Sequence, residues 1–180
     1  MSKYSSKNWS AILESKPIEY GAQTRTCRQK VRKVWNTLLA RVAYRCPSNK
    51  LRVMLHRWRG CHIGDGCYIG QYCIFDNLAP EYIYMEDNSN VNAGCMILTH
   101  FNPMPRFKNI FASEVKPVII KEEAMVAVRC TIMPGVTIGK LATVSAGIIV
   151  ENDVPDYHML YMKSTPKYIN LEKVLKRSKQ

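Results

Sequence analysis

The stretch IKEEAMVAVRCTIMPGVTIGKLATVSAGIIV, residues 120–150, places Ile120, Val126, Ile132, Ile138, Val144 and Val150 in one register of six. The same register runs upstream through Ile63, Ile69 and Phe75, then through Met85, Val91 and Ile97. A helix would repeat its apolar positions every 3.6 residues and a strand every two. A period of six instead belongs to a parallel β-helix, in which short flat strands coil around a prism. Three units, about 18 residues, make one triangular coil, and aliphatics of successive coils stack into a continuous core.

Within each unit the fifth position is small. It holds Cys61, Cys67, Cys73, Cys95 and Cys130, and in other turns Ala79, Ser89, Ala124, Val136 and Ala142. The cysteines therefore read as packing residues, and no CxxC or His/Cys cluster has zinc spacing. No metal is expected. The second position is often glycine (Gly64, Gly70, Gly139), which suggests a turn with an unusual backbone angle.

The period breaks twice. About four residues are inserted near Asn77–Pro80, and residues 98–119, with Pro103, Pro105 and Pro117, leave the coil path and return. Insertions in a solenoid tend to gather on its binding face. The longer one opens directly after ILTH with His100. His56 belongs to the preceding basic segment, while His62 and His158 read as surface or structural.

Ahead of the coils, residues 25–59 carry eleven Lys/Arg and no Asp or Glu, whereas residues 60–180 carry twelve of each sign. The net charge of +12 thus belongs to the N-terminal part. A helix is expected from Thr24, its N-cap, to about Arg45, with Val31, Val34, Trp35, Leu38 and Val42 on one stripe. Pro47 stops it, and a shorter helix follows from about Ser48 to Trp58. Residues 1–24 are polar, without a clear period, and read as mobile or loosely packed. Past Val150, Pro155 and Pro166 bracket an extended exit, and Ile169–Lys179 reads as a basic terminal helix. Three parts follow: a polar and basic helical segment over 1–59, the β-helix over 60–155 and an extension over 156–180.

No apolar run reaches the roughly 18 residues that span a bilayer. MSKYSSKNWSAILES lacks the apolar core of a signal peptide, which makes the cytoplasm the default expectation. Nucleic-acid binding is not expected, because no interleaved aromatics or binding motif accompany the charge. A basic amphipathic helix with Trp35 suits an anionic membrane surface, possible at the inner face of the membrane; the competing reading is a helix packed on the end of the coils with its charges solvated.

IGDGCYIG, FDNLAPEYIYMEDNSNVNAGCMILTHFNP, IMPGVTIG and VSAGIIVENDVP together resemble the hexapeptide-repeat acyltransferases, over about residues 60–170. The resemblance is to the galactoside/maltose O-acetyltransferase type and its relatives in capsule and exopolysaccharide synthesis. It implies a mainly β protein, a left-handed parallel β-helix with an extruded loop, forming a homotrimer with sites between subunits. It also implies acetyl-CoA as co-substrate and a saccharide hydroxyl as acceptor.

By that resemblance His100 is the catalytic base, and a backbone amide near Val128 supplies the oxyanion donor. Ser145 and Ala146 lie along the pantetheine arm, and Lys163 and Lys167 face the CoA phosphates. Lys167 follows Pro166 directly, leaving Tyr168 at the usually basic position, and Met125 replaces a frequent tryptophan. For the acceptor, Asp76, Asn77 and Asn92 are candidates to bind sugar hydroxyls or orient His100, with Asn102 and Glu114 weaker ones. The bland reading of Asp76 and Asn77 is turn chemistry. An N-acetyltransferase on an amino sugar or small amine, and a non-catalytic scaffold or membrane-binding module, are the alternative functions.

Overall fold

The computed structural model describes residues 27–107, 110 and 113–162. The expectations for residues 1–24, the Thr24 cap, Lys163, Lys167 and the terminal helix fall outside them. Two helices come first, α1 (Cys27–Arg45) and α2 (Asn49–Trp58). Ser48 caps α2, its hydroxyl accepting from the Leu51 N–H at 3.5 Å.

The coils follow. β1 (His62–Ile63), β2 (Tyr68–Ile69) and β3 (Ile74–Phe75) make the first; β4 (Ile83–Met85), β5 (Asn90–Val91) and β6 (Met96–Ile97) the second. β9 (Val118–Ile120), β10 (Met125–Val126) and β11 (Thr131–Ile132) make the third; β12 (Thr137–Ile138), β13 (Thr143–Val144) and β14 (Ile149–Val150) the fourth. A partial fifth coil adds the Ile138–Val154 bridge and β15 (Met159–Leu160). Every ladder between coils is parallel and in register, giving faces ordered β1-β4-β9-β12, β2-β5-β10-β13-β15 and β3-β6-β11-β14. This is a left-handed parallel β-helix.

The register residues form the core, from Ile63 to Val150, and none is more than 2% exposed. Each buried aliphatic contributes on the order of 1.5–3 kcal/mol. The small-residue column is buried as well, and its cysteines are free thiols. Cys73, Cys95 and Cys130 each point the thiol at a carbonyl of the next coil, those of Asn92, Ala127 and Ser145.

The glycine expectation needs correcting. Gly64, Gly70 and Gly139 do not hold the unusual angle; a Cβ at Gly70 would lie 2.3 Å from the Ala93 nitrogen, and one at Gly139 would lie 2.4 Å from that of Asp156. Glycine stands there because the next coil's backbone passes too close. The left-handed angle falls two residues later, at Gly66, Gly94, Gly135 and Gly147. Tyr72, Asn88, Glu123, Arg129, Leu141 and Tyr157 adopt it too, so its residue identity is loose.

The first helix buries a face other than its apolar stripe. On α1 the apolar stripe faces outward: Val31, Val34, Trp35, Leu38 and Val42 are all at least half exposed. Asn36, Leu39 and Ala43 on the opposite side are buried, and Leu39 and Ala43 cluster with Leu55 of α2. The charges are not all solvated either. The first coil has no coil before it, so its outward-facing carbonyls lack ladder partners. α2 supplies them. Arg57 donates to the carbonyls of Ile63 and Gly64, and Arg52 to that of Ile69 at 2.6 Å. Arg59, just past the helix, donates to those of Phe75 and Asp76. Asn49 adds an amide to the Cys67 carbonyl and accepts from the Ile69 N–H. Each strand of the first coil thus ends on one arginine.

Arg52 also donates to the Cys46 carbonyl and is buried. Arg52→Ala strands two buried carbonyls and should lower unfolding stability by about 2–4 kcal/mol. The exposed Lys33→Ala should change it by less than about 0.5 kcal/mol, both read from urea midpoints at constant m-value.

Candidate active site

Both interruptions of the register meet at one corner of the prism. The first leaves the coil at Asp76 and returns through a 3-10 turn at Pro80–Tyr82. The second leaves after Ile97, pairs β7 (His100–Phe101) antiparallel with β8 (Glu114–Val115), and rejoins at Val118. Because β3 and β6 stack directly, Asp76 and the start of the long loop lie on neighbouring coils.

The Asp76 carboxylate is the centre of this corner and is 3% exposed. One oxygen accepts from the Leu78 N–H at 2.7 Å, which closes the turn. The other accepts from the Thr99 N–H and hydroxyl, both at 2.9 Å, and from His100 Nδ1 at 2.5 Å. Burial works against ionisation of Asp76. The bonds from Thr99, His100 and Leu78 outweigh it and hold the carboxyl below its ordinary value. An ionised carboxylate only accepts, so Nδ1 must carry a proton, and in the neutral ring the lone pair then falls on Nε2. The His100 side chain is 32% exposed.

A second layer stands behind Asp76. Arg59 is buried; besides the Phe75 and Asp76 carbonyls it donates to Asn77 Oδ1 at 2.5 Å and to His56 Nδ1 at 2.8 Å. His56 stacks on Phe75 with ring centroids 4.3 Å apart. Burial pushes its pKa down to about 3, and the charges of Arg59 and Arg52 add to that, so the ring is neutral and can accept. Arg59 and Thr99 have no counterpart among the residues the sequence pointed to. Thr99 could have been suspected as the residue before His100; Arg59 was hidden in the basic run.

The other candidates are spread out. Asn77 borders this corner, but its side-chain oxygen is occupied by Arg59. Asn92 donates to the Val126 carbonyl at 2.9 Å and is a ladder residue. Asn102 accepts from the Ser113 hydroxyl at 3.0 Å, on the exposed loop. Glu114 pairs with Lys116. Val128, Ser145 and Ala146 follow β10 and β13 on a different face from β3 and β6. The Val128 carbonyl accepts from the Gly147 N–H at 3.0 Å, and Ser145 N–H donates to the Leu160 carbonyl at 2.9 Å. A six-residue side separates the two corners, on the order of 15–20 Å. His100 and these residues therefore stand at different corners of the prism. Among the described residues no group of three or more His, Cys, Asp or Glu could hold a metal ion.

Comparison with known proteins agrees with the fold. No family model matches the chain. A hexapeptide-repeat containing acetyltransferase of Vibrio cholerae O1 biovar eltor, solved with acetyl coenzyme A, covers 76% of this chain and 85% of its own at a TM-score of 0.58 and 17% identity. A maltose O-acetyltransferase from Clostridium difficile 630 covers 72% of this chain and 81% of its own, with a TM-score of 0.56 and 18% identity. A galactoside acetyltransferase solved with coenzyme A covers 76% and 79%, at 0.55 and 14%. The architecture is therefore that of the hexapeptide-repeat acetyltransferases.

In sequence, the chain is 36% identical over 81 residues, 45% of its length, to YvoF of Bacillus subtilis (strain 168), whose own name gives it only provisionally as an acetyltransferase. It is 28% identical over 113 residues, 56% of its length, to the bifunctional protein GlmU of Methanococcus maripaludis (strain C5 / ATCC BAA-1333). The chain spans 44% of the first of these relatives and 28% of the second.

The depressed Asp76 pKa carries a sign. Its contribution to stability is fully present above the unfolded value of 3.8 and is lost as pH falls through the lower folded value. Denaturation followed from pH 6 down to about pH 2 should show this acid-side loss. Asp76→Asn should flatten it and start less stable at neutral pH.

Proposed function

We propose that the chain is an acetyl-CoA-dependent O-acetyltransferase acting on a saccharide hydroxyl. The observation that carries this reading is the Asp76–His100 pair at the start of the extruded loop, whose Nδ1 bond assigns Nε2 the role of base. A sugar hydroxyl is a poor nucleophile at neutral pH. His100 Nε2 takes its proton as the oxygen attacks the thioester carbonyl. Asp76 fixes the tautomer and balances the imidazolium that forms. A backbone N–H near Val128 donates to the oxyanion. When the tetrahedral intermediate collapses and the carbon–sulfur bond breaks, the imidazolium returns its proton to the leaving CoA thiolate. The products are an acetyl ester and CoA.

The wall formed by Val128, Ser145 and Ala146 fits a slender pantetheine arm, because small residues and turn backbone line it. Its distance from His100 within one subunit supports a site shared between subunits, and so a homotrimer. Asn92 and Asn102 remain acceptor candidates at the rim. An imidazole base serves an amine acceptor equally well, so N-acetylation is the second reading.

Peripheral contact with an anionic membrane belongs to the same reading. No helix among the described residues is long and apolar enough to cross a membrane. The half-exposed stripe of α1, with Trp35 at its middle, is flanked by cations and by no carboxylate. Two copies meeting at such a face would repel each other, whereas acidic lipid headgroups would not; each surface cation adds roughly 1 kcal/mol there.

Thiol release from acetyl-CoA over a panel of glycans and amino sugars checks the reaction. His100→Ala should lower kcat/KM by about 10²–10⁴-fold. Unchanged turnover in that variant would end the reading, and turnover on amines alone would favour the second. In vesicle sedimentation, Trp35→Ser/Leu38→Ser should weaken binding to acidic phospholipid by at least about tenfold. Equal binding to zwitterionic vesicles, or no loss in the variant, would remove the membrane contact.

A further inference from the structure

A cavity of about 580 Å³ lies between α1, the end of α2 and the first coil. Arg41, Tyr44 and Arg45 line it from α1, and His56, Arg59 and Asn77 from the other side. No carboxylate lines it, and neither Arg41 nor Arg45 makes an ion pair among the described residues. Arg59 is the decisive member. It is 1% exposed, yet all four of its hydrogen-bond acceptors are uncharged: His56 Nδ1, the Phe75 and Asp76 carbonyls and Asn77 Oδ1. Its Nε is a buried nitrogen with no acceptor at all. The Asp76 carboxylate acts on Arg59 through its charge but does not bond it, so this buried guanidinium has no acidic hydrogen-bond partner and one donor unused.

We infer that this cavity binds the diphosphate group of a ligand, which is the acyl acceptor if the chain is the acetyltransferase proposed above. The exposed forks of Arg41 and Arg45, with the buried positive charge of Arg59 behind them, suit two adjacent phosphates, each offering several oxygens to planar donors. The position suits the acceptor better than CoA. The cavity lies against the first coil, whereas Val128, Ser145 and Ala146 lie on the third and fourth. Asn77 joins the cavity to the dyad, being next in sequence to Asp76 and bonded to Arg59. A diphosphate-linked sugar, whether carried on a nucleoside or on a lipid, presents this chemistry.

Isothermal calorimetry of the full chain with inorganic pyrophosphate tests the site without any turnover. Arg41→Gln/Arg45→Gln should weaken binding at least tenfold. A charge-matched control outside the cavity, Lys33→Gln/Lys50→Gln, should weaken it less than twofold. Both arginines are exposed, so the double variant should fold, and its thermal midpoint verifies this. Equal losses in the two variants, or binding that survives in the first, would overturn the site. Displacement of pyrophosphate by CoA would overturn its assignment to the acceptor.

Acyl transfer to a nucleoside-diphosphate sugar, and to a polyprenyl-diphosphate sugar in vesicles, then separates the two sources. For the true acceptor, Arg41→Gln/Arg45→Gln should raise KM at least tenfold with little change in kcat. A KM unchanged for both would overturn the acceptor role. Arginine-dependent pyrophosphate binding with no acyl transfer to any acceptor would end the enzymatic reading and leave the cavity standing.

Discussion

A coil that begins a solenoid has one side bonded to the next coil and one side open. In this chain the open side is closed by side chains, and the rest of the molecule depends on that closure. Backbone carbonyls left bare would either attract a second edge or cost buried polar groups their partners. Arginine suits the task because its fork reaches two acceptors from a long stem, and α2 delivers Arg52, Arg57 and Arg59 to the three sides of one triangle. Asn49 fills the gap where an N–H as well as a C=O needs a partner. The three arginines are not held alike: Arg52 is buried among carbonyls alone, Arg57 is partly exposed and also pairs with Asp65, and Arg59 is buried and also bonds His56 and Asn77.

The same closure reaches the candidate site. Arg59 holds the carbonyls of Phe75 and Asp76 and the side chain of Asn77, so it sets where the first insertion leaves the coil. Asp76 then has only two oxygens to share among the Leu78 turn, Thr99 and His100. Those bonds tie two successive coils together at the point where both interruptions begin. The imidazole is held by its Nδ1 proton and is partly exposed. End cap, turn and candidate base form one hydrogen-bonded unit.

Much of this was legible in the sequence, for physical reasons. A buried register that recurs every six residues leaves a periodic trace, and its interruptions stand out against it. The exposure of the α1 stripe did not stand out, since apolar spacing shows that a face exists and is silent on what covers it. Asn36, Leu39 and Ala43, which look less apolar, are the buried ones because α2 lies against them. Glycine at the second position was read as a conformational need, but the constraint is the passing backbone of the next coil. Thr99 and Arg59 act through contacts 20 or so residues apart in sequence, which no local pattern carries. His100 and Asp76 were each singled out, yet their pairing depends on β3 stacking on β6. The separation of His100 from Ser145 is likewise a property of prism faces.

The placement of charge on α1 follows from these packing facts. At about 100° per residue, Arg41 falls at the edge of the outward stripe, beside the cavity-lining Thr37, Ala40 and Tyr44, and Arg45 falls within the arc of the stripe itself. Both line the cavity, and neither makes an ion pair among the described residues. They therefore border both the cavity and the apolar stripe. Stripe, cavity and dyad are joined in that order, the first two by Arg41 and Arg45 and the last two by Arg59 through Asn77 and Asp76. A ligand with an apolar carrier, a diphosphate and a sugar presents the same three chemistries in the same order.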